Sequence, residues 1–232
     1  MTVTDVNVVK SAIFERPDDA NKGTLGSLLC VCGSYGMAGA AVMSAKGALR
    51  TGIGLAKCAL PRSIYPIVAQ TILESVYYPL SENADGRISK VNVPFLVSES
   101  CKSSATLVGC GFGVCDDTLK IVFSLIENST TPLVLDADAL NCVAKQPEIL
   151  LRKKAPIIIT PHPGEMSRLT GLATPLVNAE RERVALDFAQ KYGVVTVLKG
   201  AGTVIASPNG KVLVNPTGNS GMATGGSGDV LA

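Results

Sequence analysis

Short apolar runs recur along the chain and alternate with amphipathic stretches. Ser27–Cys32, Leu55–Leu60, Ala105–Val108, Leu133–Leu135, Ile157–Ile159 and Val194–Leu198 are close to unbroken apolar segments. Strands buried on both faces have this pattern, whereas half-exposed strands alternate. Between them lie helical patterns. Met37–Arg50 is alanine-rich and is halted by Gly52 and Gly54, Thr118–Glu127 follows, and Ala179–Tyr192 is charged along one side. Strand and helix in alternation predict an α/β fold, a mostly parallel central sheet with helices on both faces. Thr203–Ala206 and Lys211–Val214, joined by Ser207-Pro208-Asn209-Gly210, break the rhythm and predict a β-hairpin near the C-terminus. No linker or repeat divides residues 1–232, so a single domain is expected.

Composition narrows the classes further. The 232 residues carry 21 basic and 19 acidic side chains, and no basic block exceeds Arg152-Lys153-Lys154. A nucleic-acid surface needs a clustered basic face, so no nucleic-acid partner is expected. No apolar run approaches the roughly 18 residues of a membrane span, so no membrane partner is expected. Asp5, Lys10, Glu15 and Arg16 near the start do not fit the apolar core of a signal peptide, and a cytoplasmic location is expected. Seven cysteines with one histidine lack the paired spacing of a zinc site and read as buried reduced thiols.

Ligands of such folds gather beyond the carboxyl ends of the strands, and the unusual segments of this chain fall there. They are Gly33-Ser34-Tyr35-Gly36, Gly109 to Gly113, Asp136-Ala137-Asp138, Thr160-Pro161-His162-Pro163-Gly164-Glu165 and Lys199-Gly200-Ala201-Gly202-Thr203. Asn215 to Asp229 holds five glycines in the eleven positions from Gly218 to Gly228. A glycine-rich loop opening a helix turns backbone N–H groups toward an anion. Asp229 would stand at that helix start, either as a base for a substrate hydroxyl or as a helix cap. It is not a Walker loop, because the Gly-Lys-Ser/Thr ending is absent. His162, between two prolines, reads as a site residue, as a helix start with Glu165, or as both. The glycines of Lys199–Thr203 suit a nucleotide lying on the backbone or a plain tight turn. Asp136 and Asp138 could hold Mg2+ through water or cap a helix beginning near Ala139.

In this order the segments resemble the ADP/ATP-dependent NAD(P)H-hydrate dehydratases, of ribokinase-like fold. The match runs through Lys22-Gly23 with Gly33-Ser34, Gly39-Ala40-Ala41, Ala48 to Gly52, Gly109 to Gly113, Leu135 to Asn141, Thr160 to Glu165, Lys199 to Thr203 and Asn215 to Ala232. The resemblance implies a repair reaction, in which a nucleotide phosphorylates the C6 hydroxyl of hydrated NADH or NADPH and phosphate then leaves. It implies Asp229 as catalytic base and charge stabilisation by the amides of Gly226, Ser227 and Gly228. It further implies nucleotide binding by Lys199, Gly200, Ala201, Gly202, Thr203 and Gly228, and a hydrate pocket lined by Ala40, Gly113, His162 and Asp229. ADP as co-substrate, Mg2+ and a homotetramer are implied in the same way. Relatives continue through further helices after Asp229, so a chain ending at Ala232 is expected to be C-terminally truncated. Two alternatives stand beside this reading: a small-molecule kinase of the same fold, acting on a sugar or hydroxymethylpyrimidine, and a non-catalytic truncated relative.

Overall fold

The computed structural model describes residues 2–4, 9–10 and 16–232. Its strands are β1 (Thr2–Val3), β2 (Ser27–Val31), β3 (Leu55–Pro61), β4 (Val76–Leu80), β5 (Ala105–Val108), β6 (Leu133–Leu135), β7 (Ile157–Ile159), β8 (Val195–Leu198), β9 (Thr203–Ala206) and β10 (Val212–Asn215). They form one sheet in the order β1-β10-β9-β8-β7-β6-β5-β2-β3-β4. Pairing is parallel from β4 through to β8. β9 runs against both β8 and β10, as the predicted hairpin requires, and β1 closes that edge in parallel with β10.

The helices are α1 (Ala38–Thr51), α2 (Tyr65–Thr71), α3 (Val93–Cys101), α4 (Asp116–Asn128), α5 (Asp138–Val143), α6 (Pro163–Thr170), α7 (Thr174–Ala179), α8 (Arg181–Tyr192) and α9 (Ser227–Leu231). The period of two along β2 divides them between the two faces. Leu29 and Val31 join a core with Leu96, Ile121, Leu125, Met166, Val184 and Phe188 of α3, α4, α6 and α8. Cys30 and Cys32 point the other way, among Ala40, Ala41 and Ala45 of α1 and Val68 of α2. Alanines on α1 bring that helix close to the sheet, which is why a small-residue helix faces this strand. All seven cysteines are free; five are buried, as expected, whereas Cys101 is exposed and Cys115 half-buried.

Two differences from the sequence reading have physical causes. The helix predicted over Ala179–Tyr192 is α8 and starts two residues later, at Arg181, because Ala179 ends α7 and Glu180, at φ −126°, lies between the two helices. The region 62–101 gave no strong signal, yet holds α2, β4 and α3. β4 contains Pro79, and a proline lacking its N–H is tolerated only where a strand has an open edge.

From β2 the chain builds outward to β3 and β4, then returns to place β5 to β8 on the other side. The border of β2 and β5 is therefore the switch point, where the connections diverge and leave a crevice. Gly33 N–H donates to Cys110 O at 2.8 Å and Ser34 Oγ to Gly111 O at 2.8 Å, joining the two loops across it.

Candidate active site

Asp136 follows β6 directly and is 1% exposed. Its Oδ1 accepts from Thr160 Oγ1 at 2.7 Å and Lys199 Nζ at 2.6 Å, and Cys110 Sγ donates to Oδ2 at 3.6 Å. One carboxylate thus ties together the loops after β5, β7 and β8. Burial of such a charge is tolerable only with partners of this kind. Ala137 beside it adopts φ 48°, ψ −114°, the one non-glycine positive φ among the described residues. Strain of this sort costs about 1–3 kcal/mol and persists where the surroundings demand it. Here the twist sends Asp138 elsewhere, its Oδ2 accepting from Gly113 N–H at 2.7 Å and its Oδ1 from Asn141 Nδ2 at 3.3 Å.

The carboxylates of Asp136 and Asp138 are therefore occupied by protein donors. Among the described residues, no group of three or more His, Cys, Asp or Glu could hold a metal ion. The two acids expected to hold Mg2+ through water face different loops and already accept from an ammonium, hydroxyl, thiol and amides.

His162 caps α6. Its Nδ1 accepts from Gly164 N–H at 3.0 Å and Glu165 N–H at 3.3 Å, while Glu165 Oε2 accepts from His162 N–H at 2.8 Å. This reciprocal capping box satisfies orphan donors of the helix start. An accepting Nδ1 places the ring proton on Nε2, which lies 3.3 Å from Glu165 Oε1. Glu165 is buried, and burial raises its carboxyl pKa, opposed by the His162 amide and Lys199. Lys199 Nζ stands 3.8 Å from Glu165 Oε2, so its charge is shared between two buried acids.

Asp229 is the third residue of α9, inside the first turn; Gly226 is the cap, so the capping role considered for Asp229 does not apply. Gly226 has φ 92°, and a side chain there would collide with the sulfur of Met43 on α1. Gly47 of α1 makes room in turn for the carbonyl of Val230. These small residues seat α9 on α1 and bring Asp229 over the loops just described. Burial raises the Asp229 carboxyl above the usual range; the charge of Asp136 adds to this, and the Cys110 thiol and Lys199 oppose it. A raised carboxylate is a stronger base, suited to taking a hydroxyl proton. Gly228 lies against the Lys199 ammonium, 3.6 Å from where its Cβ would stand.

Lys199, Asp136, Glu165, His162, Gly228 and Asp229 thus converge. Gly113 stands apart from this cluster, its N–H donating to Asp138. Ala40 is 3% exposed with its Cβ beneath Gly111, so Gly39, exposed beside it, forms that part of the surface. Gly200 and Ala201 are exposed on the turn after β8, where Thr203 Oγ1 donates to Gly200 O at 3.0 Å. That turn borders an open depression of about 740 Å³ lined by Arg181, Arg183, Ala201, Gly202, Val204 and Val214 among others. The depression flanks the expected nucleotide segment and does not reach Asp229.

Sequence reasoning passed over four participants. Thr160 carries no signal within its segment, Glu165 reads only as part of a helix start and not as a partner of Lys199, and Cys110 reads only as a buried thiol. Arg181 carried no signal, being one charge on a charged helix. In the fold its guanidinium supports the turn after β8, donating to Leu198 O at 2.8 Å, with Nε buried and unpartnered.

A mostly parallel sheet with an antiparallel hairpin at one side, a glycine-opened helix carrying a half-buried aspartate and a facing lysine–carboxylate cluster define a protein of ribokinase-like fold. The profile of the NAD(P)H-hydrate dehydratase family matches residues 28–232, and the chain belongs to that family. It is 41% identical over 216 residues to the bifunctional NAD(P)H-hydrate repair enzyme Nnr of Thermofilum pendens, covering 93% of this chain and 41% of that protein. The chain therefore spans less than half the length of that relative. It is 34% identical to the ADP-dependent (S)-NAD(P)H-hydrate dehydratase of Neisseria meningitidis, covering 93% of this chain and 70% of that one. A crystal structure of the ADP/ATP-dependent NAD(P)H-hydrate dehydratase from Bacillus subtilis, co-crystallized with ATP/Mg2+, matches with TM-score 0.83 and 31% identity. It covers 99% of this chain and 78% of that one.

Proposed function

We propose that this chain dehydrates hydrated NADH or NADPH at the expense of a nucleotide, with ADP the expected co-substrate. The observation that carries this reading is the raised carboxyl of Asp229, seated at the glycine-rich start of α9 and facing Lys199 and Asp136. The C6 hydroxyl attacks the terminal phosphoryl group as its proton passes to Asp229. The bond from that phosphorus to the nucleotide's bridging oxygen breaks, leaving a nucleotide shorter by one phosphate. First-turn amides of a helix have no intrahelical acceptor, so those of Gly226 and Gly228 are available to the transferring group, and that of Ser227 would have to leave its long 3.4 Å bond to Thr224 O to join them. Hydroxide is a poor leaving group and phosphate a good one. The ring-nitrogen lone pair expels phosphate from C6, and loss of a proton from C5 restores the dihydropyridine. Lys199 to Thr203 would carry the nucleotide, and His162 and Gly113 the hydrate. Mg2+ is expected with the nucleotide phosphates rather than in a protein cage, in line with its habit of keeping several waters.

The one continuous sheet supports reading the described residues as a single domain. No described helix is long and apolar enough to cross a membrane; the cytoplasm is the proposed location and a homotetramer the proposed assembly. The test is incubation of NADH hydrate with ADP or ATP and Mg2+. Recovery of the reduced-nicotinamide absorbance dependent on nucleotide is expected. Phosphorylation of a sugar or hydroxymethylpyrimidine, with no recovery, would replace this reading by a small-molecule kinase.

A further inference from the structure

The hydrate of a nicotinamide dinucleotide carries a pyrophosphate and an adenosine beyond its reacting ring, and the residues assigned above provide no cation for them. Ala40, Gly113 and Asp229 bring no positive charge, and that of Lys199 is spent on Asp136 and Glu165. The cation lying against Gly113 is Arg87. Gly113 has φ 77°, and a Cβ there would stand 2.5 Å from Arg87 Nε and 2.8 Å from its Cδ, so glycine is what lets the arginine cross the loop.

Arg87 is held in this position from several sides. It closes a turn in which its N–H donates to Asn83 Oδ1 at 3.1 Å and its carbonyl accepts from Asn83 N–H at 2.9 Å. Asn83 Nδ2 in turn donates to Asp117 Oδ2 at 2.9 Å, fixing the turn to the start of α4. The guanidinium meets the Cys115 thiol and pairs at 3.3 Å with Asp85, itself 66% exposed. An exposed pair of that kind is worth little and leaves guanidinium donors for another anion. Beside it Tyr35 N–H donates to Gly86 O at 2.9 Å, and the Tyr35 side chain packs on Gly86. That tyrosine is 74% exposed at the mouth of the switch-point crevice.

We propose that Arg87 and Tyr35 form a second subsite, in which the guanidinium binds the pyrophosphate of the dinucleotide and the tyrosine ring stacks on its adenine. This rests on the assignment of Gly113 to the hydrate pocket. An arginine fork suits phosphate oxygens, and a planar ring with one exposed face suits a base.

The test measures binding of NADH, and of reduced nicotinamide riboside, by nicotinamide fluorescence to the wild type, Arg87→Gln, Arg87→Lys and Tyr35→Ala. Loss of one charge-assisted contact should weaken NADH binding about tenfold in Arg87→Gln. Arg87→Lys should recover part of it, and Tyr35→Ala should lose about threefold. The riboside, which has neither phosphate nor adenine, should bind all four proteins alike. Unchanged NADH binding in Arg87→Gln, or an equal loss for both ligands, would overturn the subsite. Turnover of NADH hydrate with ADP, followed in parallel, should show the same loss in KM rather than kcat. If the wild type binds NADH but turns over no hydrate, the dehydratase reading fails while the binding comparison still decides the subsite.

Discussion

The two most distinctive segments of this chain, 160–165 and 215–226, are held in opposite ways. In the first, Thr160 and Glu165 are buried, Thr160 is bound to Asp136, and His162 and Glu165 cap one another across a helix start. In the second, residues 216–225 are all exposed. Their geometry comes from local turns, with Asn215 Oδ1 accepting from Thr217 and Asn219 Oδ1 from Gly221 N–H at 2.9 Å. One half of the site is set by the core; the other is exposed and held by its own turns. The proposed phosphoryl transfer would gain from that division, with a rigid carboxylate cluster facing the base and an exposed glycine-rich loop available to cover a bound nucleotide.

The largest expected effect breaks the chemistry while sparing both halves. Asp229→Asn should lower kcat about 10²–10⁴-fold, the usual worth of a general base, with nucleotide affinity within a few fold of wild type by calorimetry. Turnover near the wild-type level would remove Asp229 from the base role. Asp136→Asn acts on the rigid half and should lower kcat about tenfold through a weaker base. The sign follows from the charges: Asp136 raises the Asp229 carboxyl and Lys199 lowers it. The substitution removes the first and releases the second, and both changes push the Asp229 pKa down. The acid limb of kcat/KM, above the usual carboxylate range in the wild type, should move to lower pH; a limb that stays in place contradicts this coupling. The smallest effect is that of His162→Ala. Loss of the cap should cost about 1 kcal/mol in thermal or denaturant unfolding. It should also raise the KM for the hydrate more than it lowers kcat, and an unchanged KM would leave His162 a purely structural cap.

The same contrast explains what was legible in the sequence. The strands ending at Val31, Val108, Leu135, Ile159 and Leu198 could be read because both faces of the sheet are covered, which leaves unbroken apolar runs. The site segments stood out because glycine, proline and lone acids after such runs are unusual. The edge strand Val76–Leu80, with its proline and exposed positions, carries no such signature. Nor could spacing reveal that Asp136 and Asp138, two residues apart, serve different loops; the positive φ of Ala137 separates them, and alanine does not announce it. Arg87 was invisible for a related reason: its meaning comes from Gly113, 26 positions away in sequence and adjacent in space.

The central claim is that the hydroxyl is removed as phosphate, and oxygen-18 at C6 of NADH hydrate tests it directly. Turnover with unlabelled ADP and water should deliver the label to inorganic phosphate, one atom for each NADH formed. Label in water, with unlabelled phosphate, would mean that hydroxide departs unphosphorylated and that Asp229 is not the base of a phosphoryl transfer.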